Sequence, residues 1–187
     1  INNRLFPNVA KLMHNIELVT DFCRRSVLAR GGDPMRECLT LIRTKDGRAY
    51  HCDGKDYFRM YVFIEDAKSY QSVREPRDFY ESAVAFGNFA NLLADFDASQ
   101  LYEVLPNFHN TRVRYANFES AVQKDVRGRA KEVEREIAWV RVHKELCGKL
   151  VDAIETGEIP LRVTHNDTKL NNVMLDGATG KALAVID

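Results

Sequence analysis

Four polar residues near the C-terminal end of the chain have types and spacing that could do chemistry. Asp167, Lys169 and Asn172 lie in the segment THNDTKLNNVMLDG, and the following apolar run ALAVI leads to Asp187. Amide and carboxylate oxygens, such as those of Asn172 and Asp187, are the ligands that a hard cation like Mg²⁺ prefers. A carboxylate such as that of Asp167 can accept a proton from a hydroxyl group. These residue types therefore suit a metal-assisted attack by a hydroxyl on a charged group.

The spacing of these residues is as informative as their types. Residues 165–172 fit H-x-D-x-x-x-x-N, the pattern of kinase catalytic loops. Asp167 would orient the attacking hydroxyl and accept its proton, and Lys169 could reach the transferring phosphoryl group as a point charge. His165 is expected to hold the loop backbone rather than touch substrate. The alternative is a plain polar turn whose side chains only satisfy backbone groups.

At these residues the sequence resembles the aminoglycoside phosphotransferase and choline kinase group of the protein-kinase-like fold. The strings THNDTKLNNVMLD, AVID and YFRMYVFIEDA are most similar to the N-acetylhexosamine kinase branch, whose members are often labelled mucin-desulfating proteins. The resemblance implies that Asp167 is the catalytic base and that Asn172 and Asp187 are ligands of Mg²⁺. It also implies ATP as phosphoryl donor and a small-molecule acceptor, a sugar hydroxyl such as the anomeric hydroxyl of an N-acetylhexosamine.

The resemblance also assigns nucleotide-binding roles further upstream. Backbone groups of Glu65 to Ala67 would form the hinge that holds adenine, and Glu17 would pair with the nucleotide-binding basic residue. Without the resemblance, the first segment is equally a plain connection and Glu17 is equally a charge on a solvated helix face. The glycine-rich phosphate loop and the basic strand residue would precede Ile1, and the family's chain continues beyond Asp187. We therefore expect an internal piece of a longer enzyme that has little or no activity alone.

Other functions stay open on the sequence. One alternative is a non-catalytic, pseudokinase-like module that binds nucleotide or a partner; another is a kinase for aminoglycosides, choline or homoserine. Intact Asp167, Asn172 and Asp187 favour an enzyme, because a decayed site has no physical need for these groups. A protein kinase is disfavoured, since Asn166 stands where protein kinases usually have arginine.

Two further polar segments have structural interpretations. Residues 108–114 contain histidine, asparagine and two arginines and could face a sugar or a phosphate, but a helix cap at Asn110 or Thr111 explains much of the pattern. The basic residues of 124–135 alternate with glutamates, as on a solvated helix face.

Composition excludes several classes of protein. With 187 residues, 45% of them hydrophobic, the chain can bury a core. Its 27 basic and 27 acidic residues cancel, so no overall field would attract nucleic acid or an anionic membrane. Four separated cysteines without a CxxC pair indicate reduced thiols rather than a zinc or disulfide scaffold. No apolar stretch predicts a membrane span or a signal peptide, so a cytoplasmic protein is expected; the oligomeric state is not indicated.

Periodicity predicts the elements that must position the catalytic loop. A long amphipathic helix begins at Asn8 and ends at Gly31-Gly32. An antiparallel meander follows, with glycine turns and with Tyr57 to Ile64 as its most buried strand. The remaining predicted elements are a helix over about 78–95 with Phe79, Ala83, Phe86, Ala90 and Leu93 on its apolar face, a short helix over 110–124, a continuous core helix over 130–155, and strands at 161–164, 173–175 and 182–186.

This order predicts an α+β fold in two lobes. Residues 1–66 would form a partial N-terminal nucleotide-binding lobe, and residues 67–187 a partial C-terminal helical lobe with the catalytic loop. The resemblance implies that the whole is part of a protein-kinase-like fold.

Overall fold

The computed structural model describes residues 1–187 and shows a mixed fold of helices and small antiparallel sheets. The helices are α1 (Val9–Ala29), α2 (Pro76–Leu92), α3 (Thr111–Lys124), α4 (Glu134–Val142) and α5 (Lys149–Glu155). The strands are β1 (Leu41–Ile42), β2 (His51–Cys52), β3 (Tyr57–Phe58), β4 (Met60–Tyr61), β5 (Ala67–Lys68), β6 (Val173–Asp176) and β7 (Ala182–Val185). Judged by length and polarity, none of these helices could span a lipid bilayer.

Helix α1 has the ends that the sequence predicts. The side chain of Asn8 accepts a hydrogen bond from the Lys11 N–H, which satisfies one of the free donors of the first turn. Past the last turn, Gly31 has φ +75°, and its N–H donates to the Leu28 carbonyl. A residue with a side chain would be strained in that backbone conformation, so glycine favours the stop at this position.

The meander is antiparallel, but its strands are short. β1 pairs with β4 and β2 with β3, each over two residues. The prediction that Tyr57 to Ile64 is a buried strand is wrong: Arg59 separates β3 from β4, and of this stretch only Ile64 is buried. Phe58 and Phe63 are 50% and 73% exposed, because no element of the fold covers them. Apolar residue types predicted the strand, but not whether a second layer packs on it.

Helix α2 lies where predicted, but its buried face matches the prediction only in part. Its buried residues are Asp78, Glu81, Ser82 and Ala85. Of the predicted apolar face, Phe86 and Leu93 pack in the core. Phe79, by contrast, is 66% exposed, and Ala83 and Ala90 are also exposed. Burial of Glu81 is compensated because its carboxylate accepts the Ala182 N–H at 2.8 Å. Polar side chains can therefore occupy the inner face of α2.

The predicted continuous core helix over 130–155 is wrong. The segment is divided into a 3-10 turn (Ala130–Val133), α4, a second 3-10 turn (Lys144–Cys147) and α5. Gly148, with its low helix propensity, stands between the second turn and α5. Of this segment only Ile137 is buried, whereas Trp139 is 63% and Leu150 70% exposed.

The C-terminal hairpin confirms the prediction for 173–187. β5, β6 and β7 form one antiparallel sheet, in which Val173 opposes Val185 and Ala67 opposes Asp176. Val173 is completely buried and packs with Ala85 of α2. The strand predicted at 161–164 is absent, because this segment pairs with no neighbouring strand.

Contacts divide the chain into two compact units, Ile1–Val104 with Arg162–Asp187, and Leu105–Leu161. All candidate site residues lie in the first unit. In the second unit, the Asn110 side chain accepts the Val113 N–H and caps α3, as the sequence suggested. The boundary between residues 66 and 67 remains a prediction about functional lobes.

Candidate active site

The segment with the kinase-like pattern is an irregular loop held at both ends. It ends in a 3-10 turn (Leu170–Asn172) that leads directly into β6, whose Val173 is buried in the core. Near its start, Asn166 has φ +61°, a left-handed conformation that asparagine tolerates better than most residues. Thr164 Oγ1 donates to the Asn166 side-chain oxygen at 2.7 Å. The loop conformation is thus specified by local bonds and by the buried strand that follows.

Asp167, Lys169 and Asn172 form one hydrogen-bonded group. Lys169 Nζ lies 2.7 Å from Asp167 Oδ2, and Asn172 Nδ2 donates to the same oxygen at 2.9 Å. Asn172 Nδ2 also reaches the Asp167 carbonyl at 3.0 Å. The Lys169 ammonium and, to a smaller extent, the Asn172 amide hold the pKa of Asp167 below its usual range. Asp167 is therefore an ionised carboxylate at neutral pH.

The end of β7 brings Ile186, the residue before Asp187, to Asn172. The Ile186 N–H donates to the Asn172 carbonyl at 2.8 Å. Asp187 is the next residue of the chain after this hydrogen bond. Lys169 interacts electrostatically with both Asp167 and Asp187, and both acids raise its pKa. These contacts bring together the four residues that the sequence singled out.

Two side-chain oxygens of this group are available for a cation. Asn172 is buried and uses Nδ2 for its hydrogen bonds, which leaves Oδ1 without a donor. The carboxylate of Asp187 makes no hydrogen bond or ion pair. An amide and a carboxylate oxygen fit Mg²⁺, which is commonly held by one or two protein groups together with phosphate oxygens and water. No group of three or more His, Cys, Asp or Glu residues offers a separate metal site.

His165 connects the loop to the end of β7. Its Nδ1 accepts the Asp167 N–H at 3.3 Å, and its Nε2 lies 3.2 Å from the Ile186 carbonyl. The ring is packed edge-on against Phe86 and Phe89 of α2. This is the backbone-holding role that the sequence suggested for His165.

Glu17 has a basic partner that sequence reasoning missed. Its Oε1 lies 2.5 Å from Nη1 of Arg43, which follows β1, and Arg43 also lies 3.7 Å from Asp21 of α1. Glu17 is thus not merely a solvated charge on a helix face. No hydrogen bond or ion pair connects it to the catalytic loop. Arg43 gave no sequence signal, since it is one of many charged residues in a polar turn region.

The segment proposed as the hinge is anchored by Arg36, which the sequence analysis also missed. Arg36 Nη2 donates to the Glu65 carbonyl at 3.2 Å and to Asp176 of β6 at 3.1 Å. The pKa of Asp176 is lowered to about 2, first by the Thr179 N–H and hydroxyl and then by Arg36. A carbonyl oxygen has two lone pairs, so Glu65 can still accept a second hydrogen bond.

The next two hinge residues are held by the β6–β7 hairpin. Asp66 has φ +51°, and its carbonyl accepts the Gly177 N–H at 2.7 Å. Ala67 is paired with Asp176 in the sheet. A Cβ on Gly177 would lie 2.7 Å from the Asp66 carbonyl oxygen, closer than real Cβ contacts. Glycine is therefore required for this close approach, and the hinge and the catalytic hairpin form one connected structure.

A cavity of about 480 Å³ lies between α1, α2 and β7, with Asp187 among its lining residues. Cys23 and Cys38 also line it, and burial raises their pKa to about 12 and about 11. The thiols are therefore neutral. With Phe89 and Leu92 they make an apolar wall, where a triphosphate would be poorly solvated.

Comparison with known protein families identifies the family to which this chain belongs. A family model described as the phosphotransferase enzyme family, APH, matches residues 18–187. The chain belongs to the APH phosphotransferase enzyme family. This membership confirms the predicted protein-kinase-like α+β fold and a kinase-type enzyme that acts on small molecules. APH enzymes generally use ATP with Mg²⁺. The match includes the hinge and the whole catalytic loop, whereas Glu17 lies one residue before it.

Proposed function

We propose that this chain carries the catalytic site of an ATP- and Mg²⁺-dependent small-molecule kinase. The observation that supports this most directly is the junction at Asn172. Its side chain is bonded to Asp167 at 2.9 Å, and its carbonyl is bonded to the residue before Asp187 at 2.8 Å. A hydroxyl-orienting carboxylate and two cation-binding oxygens are thereby held in one rigid group.

Asp167 acts mainly by orientation. Its lowered pKa makes it a weak base, which suits phosphoryl transfer, because a loose transition state needs little proton removal before the new bond forms. The carboxylate would accept a hydrogen bond from the acceptor hydroxyl and take the proton late in the reaction. Lys169 supplies a positive charge beside it for the transferring phosphoryl group.

Asn172 Oδ1 and Asp187 would hold Mg²⁺. When bound, the ion neutralises charge on the phosphate oxygens. The hydrogen bond from Asn172 Nδ2 to Asp167 orients the amide so that Oδ1 is free for this purpose. Asn172 would thus both orient Asp167 and supply an oxygen ligand for Mg²⁺.

The upstream residues would bind the nucleotide. Backbone groups of Glu65 and Ala67 remain our candidates for contacts with adenine, supported by their rigid attachment to the catalytic hairpin through Arg36 and the β5–β6 pairing. Glu17 remains the candidate acid of the nucleotide site. Its bond to Arg43 shows that it accepts a basic partner in this fold.

For the acceptor we propose a sugar hydroxyl, in particular the anomeric hydroxyl of an N-acetylhexosamine, in a cytoplasmic enzyme. The support is the similarity of the catalytic-loop and hinge strings to the N-acetylhexosamine kinase branch. Aminoglycosides, choline and homoserine are the competing acceptors that an assay must include.

The test is a phosphorylation screen combined with nucleotide binding. Full-length protein, ATP and Mg²⁺ are incubated with N-acetylhexosamines, aminoglycosides, choline and homoserine, and phosphorylated products are identified by mass spectrometry. Binding of a fluorescent ATP analogue is measured in parallel. We expect Asp167→Asn to lower transfer about 10²- to 10⁴-fold, as for loss of a general base, with nucleotide affinity retained. Asp95→Asn, at an exposed position outside the site, is the matched control.

Three outcomes separate the alternatives. Transfer to a hexosamine that is lost in Asp167→Asn supports the proposal. Transfer unchanged by this substitution removes Asp167 from the mechanism. Nucleotide binding without transfer to any acceptor indicates a non-catalytic module.

A further inference from the structure

The residue before Asn172 is bound to a part of the chain about a hundred positions away. Ser69 Oγ donates to the Asn171 carbonyl at 2.9 Å, and Asn171 Nδ2 donates to Gln71 Oε1 at 3.0 Å. Both partners follow β5 directly, in the connection to α2. We call Ser69, Gln71 and Asn171 the linker clasp. Neither the catalytic-loop pattern nor family membership assigns a role to Ser69 or Gln71.

The linker clasp begins where the pairing between β5 and β6 ends. The last backbone pairs between β5 and β6 are Ala67 with Asp176 and Lys68 with Leu175. Beyond Lys68 the ladder stops, and side-chain bonds from Ser69 and Gln71 continue the attachment to the turn before β6. Tyr70, between these two residues, packs against the core cluster that includes Val173. The linker is thus held on the core by one residue and to the catalytic loop by its two neighbours.

The clasp acts on the most constrained residue of the site. Asn172 is bonded through its side chain to Asp167 and through its carbonyl to Ile186. Asn171 precedes it in the same 3-10 turn, so a shift of Asn171 would move the Asn172 amide relative to both. Asn171 itself has no other hydrogen bonds to the rest of the fold. The linker clasp is therefore a second external attachment of this turn, beside the bond from Ile186 to Asn172.

We propose that Ser69 and Gln71 are positioning residues that hold Asn171, and through it the amide of Asn172, in the geometry for binding a divalent cation and for orienting Asp167. The expected effects on cation binding and catalysis rest on the proposed function, whereas the attachment of Asn171 by Ser69 and Gln71 does not. The clasp also couples the hinge strand to the catalytic loop, so the two parts of the site move together.

The first test measures the clasp in the free protein. Gln71→Met keeps the side-chain length but removes the acceptor, whereas Gln71→Glu keeps an acceptor oxygen. Hydrogen exchange of the Asn172 and Val173 amides, which bond to carbonyls within the turn, should become about fivefold faster in Gln71→Met, as expected for loss of one hydrogen bond. Gln71→Glu should restore the original rate. Gln123→Met, at an exposed position of α3, is the matched control.

The second test measures the effect on the site. Mn²⁺ is titrated in the presence of a non-hydrolysable ATP analogue and followed by water-proton relaxation. Gln71→Met and Ser69→Ala should each weaken Mn²⁺ binding several-fold and lower kcat, with the KM for ATP unchanged. Ser72→Ala, next to the clasp but without a bond to the loop, should change neither quantity.

Two results would overturn the inference. One is unchanged amide exchange in Gln71→Met. The other is a raised KM for ATP with unaltered kcat and Mn²⁺ affinity, which would make Gln71 a nucleotide contact instead. If the full-length wild-type protein transfers no phosphate, the proposed function fails, but the exchange measurement still decides whether Ser69 and Gln71 hold Asn171.

Discussion

Asp167 is held in place by hydrogen bonds from two side chains, and its lowered pKa makes it a weak base. Two donors, Lys169 and Asn172, meet on a single carboxylate oxygen, and both stabilise its ionised form. The second carboxylate oxygen remains available for an acceptor hydroxyl. In the proposed mechanism, this geometry favours precise placement of the hydroxyl over strong proton abstraction.

Removing the charge of Lys169 should make Asp167 easier to protonate. Because Lys169 is the main cause of the lowered pKa, we expect Lys169→Met to raise the pKa of Asp167 toward its ordinary value. The acidic limb of the pH–rate profile should then move to higher pH, since activity requires the ionised form. Titration of the Asp167 carboxyl by carbon NMR checks this without requiring turnover. An unchanged titration in Lys169→Met, equal to that of the exposed control Lys45→Met, would contradict it.

At the residue scale, the sequence predicts the local chemistry and misses the distant partners. Asp167, Lys169 and Asn172 interact within six positions of each other, so their spacing carries the information. Arg43 reaches Glu17, and Arg36 reaches Asp176 across 140 positions. Such pairs depend on the folded path of the chain, which no local pattern encodes.

At the element scale, the β6–β7 hairpin organises the site. Strand β6 pairs with β5, the strand of the proposed hinge. The Ala182 N–H of β7 donates to Glu81 of α2, and Asp187 follows the end of β7. The turn of the hairpin approaches the hinge so closely that Gly177 has no room for a side chain. The hairpin therefore connects the proposed hinge directly to the end of β7, after which the proposed cation ligand Asp187 follows.

Gly177→Ala should loosen this contact. The added Cβ would overlap the Asp66 carbonyl oxygen at 2.7 Å, and a backbone atom cannot rotate away as a side chain can. We expect a loss of about 1–3 kcal/mol in the free energy of unfolding, measured by urea denaturation. Gly87→Ala, in the interior of α2 with open space around it, is the matched control and should stabilise by about 0.5–1 kcal/mol. Equal stability of Gly177→Ala and wild type would show that the hinge can yield.

Element positions were more predictable than element faces. The ends of α1 follow from an asparagine cap and a glycine stop, which act within one turn. The buried face of α2 does not follow from apolar spacing, because Asp78 and Glu81 are buried with partners from outside the helix. Which face of an element becomes buried depends on what packs against it, and that is decided by the tertiary fold.

At the scale of the whole molecule, both compact units depend on carboxylates with strongly lowered pKa. Asp78 and Asp176 in the first unit and Glu119 in the second have their pKa lowered to about 2. The principal causes are Arg74 for Asp78, the Thr179 N–H for Asp176, and Arg141 for Glu119. Each group stabilises the folded state only while it is ionised.

Acid should therefore weaken both units in the same pH range. The folded pKa values of about 2 lie below the ordinary values near 4, so this stabilisation is complete above about pH 5 and is lost as pH falls toward 2. Urea midpoints measured by circular dichroism should fall across that range. Asp78→Asn and Asp176→Asn should each flatten the dependence, and Asp95→Asn should leave it unaltered. A midpoint independent of pH between 5 and 2 would contradict this account.

The fold class of the whole molecule was predictable from the sequence, but the continuity of its helices was not. The order of helix, meander, helices and hairpin indicated the α+β fold, and family membership confirms it. The segment 130–155 looked like one core helix because its apolar residues recur at helical spacing. The helix is instead interrupted between Val142 and Lys149, and Trp139 and Leu150 are exposed. Apolar periodicity thus did not predict where a helix is interrupted or whether another element packs on it.

The burial of two of the four cysteines has a practical consequence for measurement. Cys23 and Cys38 are buried with raised pKa, and thiols react as thiolates, so both should resist maleimide reagents at neutral pH. Cys52 and Cys147 are partly exposed and lie one in each compact unit. The native sequence thus provides two attachment points for spin labels or fluorophores, and the distance between the units, with and without nucleotide, can be measured without introducing a cysteine.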